Sequence, residues 1–362
     1  VSVPEFRVYS WAFEELRECD ERAVSRQIAD HYGFPVTDIP ADDAWPLSTQ
    51  PRATLDVDAP PMFGHYALLE RACAMASAHE TGLILSGDRG DLVSGMGIFD
   101  LPWLLWHGRW IALLRELHAL AEWRGTSLTR MARRELVSPV LARWTPAPIR
   151  ARRRRRRAAS MAAAPATPRW ISPQLARLLP GEASMDDHDL RRWPSRAAAE
   201  RYQSIFTELH LRSVVDSGRL HARFHQTFAD PWSDRRIAEF AVAIPQRVLN
   251  TGFEDKRLTR RVVVGMIPDA ARLAMRKTVP LPLYDRGIRE RARETIEELL
   301  SDSELARRGW VDDRTLRDHY RAIVAGGRDD GYLWYTLSLE LWLRAFWPSY
   351  APTLLATGGG AT

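Results

Sequence analysis

The stretch Gly82-Leu-Ile-Leu-Ser-Gly-Asp-Arg-Gly-Asp-Leu-Val-Ser-Gly-Met-Gly97 constrains the chain more than any other. Leu83-Ile84-Leu85 is too short for a helix and too apolar for a surface loop, so it reads as a buried strand of a parallel sheet. Ser86-Gly87 ends that strand, and glycines recur at positions 90, 95 and 97. In such sheets ligands bind just past the carboxyl ends of the strands, where glycine lets backbone N–H groups approach an anion. Asp88 and Asp91 then stand where a carboxylate reaches a magnesium ion or a reacting amine. The plainer reading of the same residues is an ordinary Gly/Asp turn.

The segments around this strand have the order of a parallel α/β sheet. Val8-Tyr-Ser-Trp-Ala-Phe13 begins as a strand. Asp20-Glu21 opens a helix with Ala23, Ile28, Ala29 and Tyr32 on one side, and Gly33 stops it. Pro35 to Ile39 reads as a second strand. A Pro-rich loop follows, then a helix from about Gly64 to His79, and then Leu83. Strand–helix–strand–helix–strand implies helices flanking a parallel sheet. Beyond residue 100 the chain turns mostly helical. Trp103, Trp106, Trp110 and Trp123 recur at helical spacing and are expected in the core. His107 and His118 have no partner at ligand spacing and read as structural.

The expected organisation is therefore a nucleotide-binding α/β part over 1–100 and a helical block over 101–145. A Pro/Arg/Ala-rich linker over 146–170, expected to be mobile, leads into a helical remainder over 171–350 and a disordered tail over 351–362. Cys19 and Cys73 are too few for a disulfide framework or a zinc site, which suits a reducing cytoplasm. No apolar run approaches the roughly 20 residues that span a bilayer. The net charge of +5 raises the question of nucleic acid, but the excess lies in Arg150 and Arg152 to Arg157. Without that run the chain is close to neutral, and a run of like charges is more often a solvated segment than a binding face.

The glycine-rich loop resembles the Ser-Gly-Glu-Gly-Gly-Asp-Glu-Leu-Phe-Gly-Gly loop in the synthetase domain of asparagine synthetases and their relatives, the lasso-peptide macrolactam cyclases. Ser86, Gly87, Gly90, Asp91 and Gly95 match; Asp88, Arg89 and Leu92 replace Glu, Gly and Glu. Ser10-Trp-Ala-Phe13 and Asp20-Glu21 are similar to the family's Ser-Val-Gly-Phe strand end and the Asp-Glu that starts its next helix. Phe228-Ala-Asp-Pro-Trp-Ser-Asp-Arg-Arg-Ile-Ala-Glu-Phe-Ala-Val-Ala-Ile-Pro245 matches best, with Asp234 placed to cap a helix whose Ile237, Phe240 and Ala241 face inward. Lys256 with Arg260, Arg276-Lys277, and Glu340-x-Trp342-x-x-x-Phe346 come next, in the family's order.

The resemblance implies an adenine nucleotide alpha hydrolase-like fold of the ATP-pyrophosphatase type, with ATP and Mg²⁺ as cofactors. A substrate carboxylate would be activated as an acyl-adenylate, and an amine would expel AMP. The carboxylate would come from aspartate or from a precursor peptide, and the amine would be ammonia or a peptide N-terminus. Asp88 would be the base and Asp91 the magnesium ligand. Lys277 would stabilise charge on the α-phosphate. The backbone at Trp11 would lie against adenine, and Ser86, Gly87, Gly90, Lys256 and Arg260 would line the phosphates. The family's Ser-Gly-Gly-x-Asp-Ser phosphate loop and its glutaminase domain have no counterpart in 1–362. The reading is therefore of an N-terminally truncated chain or of a relative that lost the loop. Two other readings stand beside the ligase: a catalytically inactive partner in a biosynthetic complex, and nucleic-acid binding through the arginine run.

Overall fold

A computed structural model describes residues 5–49, 59–94, 101–123, 125–137, 168–178, 193, 195–251, 254–274, 278–329 and 331–357. Lys277, Gly95, Gly97 and the arginine run Arg152–Arg157 lie outside the described residues.

The N-terminal part has the expected order. Strand β1 (Val8–Ala12) leads to α1 (Arg22–Tyr32), which ends where Gly33 takes the left-handed conformation that a Cβ disfavours. Strand β2 (Val36–Pro40) pairs parallel to β1, with Val8 opposite Val36 and Trp11 opposite Ile39. Helix α1 presents Ala29 as its buried residue, whereas Ala23 and Tyr32 are exposed. The inward stripe is therefore narrower than the spacing suggests. Helix α2 (Tyr66–Ala78) crosses back over β1 and β2 into β3 (Leu83–Leu85).

Strand β3 pairs parallel with β4 (Thr227–Ala229), far along the chain, and not with β1. Among the described residues the sheet is thus two parallel pairs. This corrects the expectation that Leu83-Ile84-Leu85 is buried: Leu83 and Leu85 are 54% and 52% exposed. Apolar composition alone predicts burial only where other layers cover both faces of the strand.

The helices divide among separate cores. After α3 (Gly90–Val93), α4 (Leu101–Trp106) and α5 (Trp110–Trp123) pack through Leu101, Leu113, Leu117 and Leu120. Trp103 packs on that cluster, but Trp106 and Trp110 are more than half exposed, against the expectation for indoles at helical spacing. Leucines from two helices already fill this core, leaving the indoles outside. Helix α7 (Glu208–Arg223) packs against β4, while α6 (Arg196–Ile205) and α8 (Arg235–Ala243) pack on each other and on α3. A short α9 (Arg257–Val262) comes after them.

The largest core joins α10 (Arg293–Ser301), α11 (Glu304–Arg307), α12 (Asp313–Val324) and the final α13 (Tyr332–Thr357). Ile296, Leu305, Leu316, Leu333 and Leu337 fill it, and Trp170 joins them, donating its indole N–H to Thr336 Oγ1 at 3.0 Å. Glu340 is buried there. Its carboxylate accepts from Ser303 Oγ, the Glu304 and Leu305 amides and Arg344 Nε, at 2.8–3.0 Å. It satisfies otherwise orphaned amides at the start of α11, so this motif residue is an anchor.

Candidate functional site

The site is built on the loop that leaves β3. The ladder continues one bond past the strand, as the Ser86 amide donates to the Ala229 carbonyl at 2.9 Å. Ser86 Oγ then accepts the Asp88 amide at 3.1 Å, and the Gly90 amide donates to the Gly87 carbonyl at 3.0 Å. These bonds make a tight turn of Ser-Gly-Asp-Arg-Gly and start α3. Gly90 sits close under the Trp232 indole: a Cβ there would lie 3.2 Å from the ring, so the indole would have to shift by a few tenths of an ångström. Val93 pins the far end of α3 between Ile205 of α6 and Ala238 and Ala241 of α8.

Arg89 is the hidden brace of this loop. It is buried, and its Nη2 donates to the His210 carbonyl in the first turn of α7 at 2.5 Å. The arginine that stands in place of the family's glycine thus ties the loop to α7. Thr207 caps the same helix, its Oγ1 accepting the His210 amide at 3.3 Å and lying 2.5 Å from His210 Nδ1. On the β4 side, Asp230 accepts from the Trp232 amide at 3.1 Å and from Ser233 Oγ at 2.6 Å. Asp234 caps α8, accepting the Arg236 amide at 2.8 Å, and its carboxyl is held down to about 2 chiefly by the Arg236 side chain. Phe240 of α8 is 63% exposed, so the inward face is Ala238 and Ala241 and not the expected Phe240. Small residues face in because Arg201 of α6 lies fully buried against the end of α8, donating to the Ala241 and Ile244 carbonyls.

The electrostatics centre on Asp88. Burial, and next the Asp230 carboxylate, raise its carboxyl above the ordinary range; Asp91 acts in the same direction, while Arg89 and His210 oppose it. Water still reaches Asp88, which screens these charges. His210 is lowered, first by burial and then by Arg89, so at neutral pH its imidazole is uncharged.

Lys256 reaches this loop across 165 residues of sequence, its Nζ lying 2.5 Å from Asp91 Oδ1. It does so from a left-handed backbone conformation, φ +52°, just before α9. Lys256 and Arg260, both expected to line the phosphates, are therefore split. Lys256 precedes the helix and turns to the loop, while Arg260 donates to the carbonyls of Asp255, Arg272 and Ala274. Arg260 consequently braces backbone. Trp11 is also elsewhere: its ring packs with the Phe13, Ala41 and Leu68 cluster, where its indole nitrogen is buried with no partner among the described residues. Its backbone lies at the carboxyl end of β1. Ser86, Gly87, Asp88, Gly90, Asp91 and Lys256 are thus brought together; Trp11 and Arg260 are not.

Asp91 fits a magnesium ion that shares its ligands with phosphate, since Mg²⁺ is commonly held by one or two carboxylates plus substrate oxygens. Among the described residues no group of three His, Cys, Asp or Glu is placed to hold a metal unaided. Sequence reasoning missed His210 and Asp230 as neighbours of Asp88. Asp230 carried a signal, sitting at the head of the best-matching block; His210 carried none.

A family model described as asparagine synthase matches residues 2–344. No curated protein and no solved structure matches the chain. Among the described residues no helix is long and apolar enough to cross a membrane.

Proposed function

The chain belongs to the asparagine synthase family of ATP-dependent amide ligases, and on that premise we propose that it joins a carboxylate to an amine through an acyl-adenylate. The observation that carries this reading is the meeting of Asp88, Asp91 and Lys256 past the carboxyl end of β3. A proton acceptor, a carboxylate suited to magnesium and a phosphate-binding cation stand on one loop and its neighbour.

In the first step a substrate carboxylate oxygen bonds to the α-phosphorus of ATP and pyrophosphate leaves. In the second the amine nitrogen bonds to the acyl carbon, the bond to AMP breaks, and the proton lost by the amine passes to Asp88. Asp88 is suited to that task because its raised proton affinity makes it a stronger base than an ordinary carboxylate. Magnesium, when bound, offsets phosphate charge, and Asp91 would hold it. Lys256 then moves from Asp91 to the phosphates, and Lys277 takes the α-phosphate charge. Ser86, Gly87 and Gly90 let backbone N–H groups approach the nucleotide. The carboxylate is that of aspartate or of a precursor peptide; the acceptor is ammonia or a peptide N-terminus, the latter giving a lasso-type macrolactam. A cytoplasmic location accords with both supplies of substrate.

Pyrophosphate exchange into ATP, run with aspartate and with Asp- or Glu-containing peptides, tests the reading. Exchange with one carboxylate class is expected. Asp88→Asn should slow amide formation by about 10²- to 10⁴-fold, the usual contribution of a positioned base. No exchange with any carboxylate would favour the catalytically inactive partner instead.

A further inference from the structure

Lys256 stands on backbone that is tied down on both sides. Upstream, Thr251 and Glu254 hold each other: the Thr251 amide donates to the Glu254 carbonyl at 3.0 Å, and Thr251 Oγ1 accepts the Glu254 amide at 3.1 Å. Downstream, Arg257 pairs with Glu254 at 3.0 Å, and Arg260 donates to the carbonyls of Asp255 and Ala274 at 2.7 and 3.0 Å. Between these anchors Lys256 takes the left-handed backbone, φ +52°, that L side chains rarely adopt. From there its Nζ meets Asp91 Oδ1 at 2.5 Å. The contact serves no cap of α9, whose start has no side-chain hydrogen bond. The pair is also open, with 37% and 27% of the two side chains exposed, so a ligand can reach it without unfolding anything. A pair this exposed contributes little to stability, so its fixed geometry is of more use to the site than to the fold.

We propose that Lys256 is a resident counter-ion that keeps a divalent cation off Asp91 until nucleotide phosphates draw the ammonium away, an inference that rests on the ligase reading above. The ammonium and a magnesium ion compete for the same carboxylate, and two cations placed there repel each other. A lysine suits this task because its flexible stem carries a point charge between partners while the helix stays where it is. Phosphate oxygens offer Lys256 a more strongly charged partner. They also supply the magnesium ligands that a single carboxylate leaves unfilled. Asp91 is thereby released as the rest of the ligand set arrives. Metal and nucleotide then favour each other's binding, by linkage equally in both directions.

The test uses the full chain, with Mn²⁺ as the probe and its EPR signal as the readout, and needs no turnover. Without nucleotide, K256M should bind Mn²⁺ about 5- to 150-fold more tightly than wild type, the usual span of coupling between two ligands. K256Q, which also removes the charge, should repeat that gain if K256M does not fold. K256R keeps the charge and should stay close to wild type. In D91N the K256M substitution should change nothing, which ties the effect to this carboxylate. An ATP analogue with a methylene bridge between the α and β phosphorus should raise the Mn²⁺ affinity of wild type more than that of K256M. Equal affinities of wild type and the uncharged variants without nucleotide would overturn the proposal, as would a gain that persists in D91N. Mn²⁺ that binds none of the proteins, with or without the analogue, would overturn it too. Pyrophosphate exchange is scored separately: its absence removes the ligase reading, whereas the Mn²⁺ comparison alone decides the role of Lys256.

Discussion

The two parallel pairs, β1–β2 and β3–β4, share a backbone plan and differ in the residues past their carboxyl ends. Each ladder runs one hydrogen bond beyond its strands, from the Ala41 amide to the Ala12 carbonyl at 3.0 Å and from the Ser86 amide to the Ala229 carbonyl at 2.9 Å. Beyond that bond β1–β2 leads into Phe13, Ala41 and Ala44, all buried in one cluster. Beyond it β3–β4 leads into Ser86, Gly87, Asp88 and Asp230. The anion-binding potential of the first pair is already used. The Glu14, Glu15 and Leu16 amides donate to the Asp42 carboxylate at 2.6–3.2 Å. In the second pair the Asp91 carboxylate meets Lys256 instead. One strand end closes on itself, and the other presents charge. Burial stabilises the first; hydrogen bonds and caps place the second.

That contrast can be broken by measurement, beginning with the core. Ile39→Ala on β2, where the side chain is fully buried, should cost about 2–5 kcal/mol in urea unfolding. Leu85→Ala on β3, half exposed, should cost less than about 1 kcal/mol, in line with exposed sites generally. Equal costs would mean that β3 is as covered as β2, and the contrast would collapse. Asp42→Ala should cost about 1–3 kcal/mol, because it leaves three amides without their acceptor. A smaller loss would show that water satisfies those amides as well as the carboxylate does.

The smallest effect concerns pH. A carboxyl whose affinity for protons is raised by folding opposes stability when ionised, so Asp88→Asn should be slightly stabilising at pH 7. The gain should stay below about 1 kcal/mol, since solvent screens exposed charges. It should shrink as pH falls through the folded carboxyl's range, and vanish below about 3.9, where the unfolded carboxyl is also protonated. A gap that widens in acid would reverse the sign assigned to Asp88.

Much of this architecture was legible in the amino-acid order. Gly33 marked a helix end, Asp234 a helix start, and Leu83 to Leu85 a strand of a parallel sheet, because local sterics and caps act within a few residues. The motif blocks also named Asp88, Asp91 and Lys256 before any contact between them was known. Exposure was less legible. Leu83, Leu85, Trp106, Trp110 and Phe240 all read as core and are largely in water. Periodicity says which residues share a face, and only the neighbouring elements decide whether that face is covered.

By itself the sequence determined the kinds of element, their order and the chemical groups available, since these depend on backbone preference and side-chain type. The tertiary structure alone decided the partnerships. It put Lys256 on Asp91 and Arg260 on backbone carbonyls, although the two lie four residues apart and read as one pair. It turned Arg89 inward to hold His210, and it set Asp230 beside Asp88. Those choices stem from the pairing of β3 with β4 across more than 140 residues, and no local pattern encodes which distant strand will supply the second half of a site.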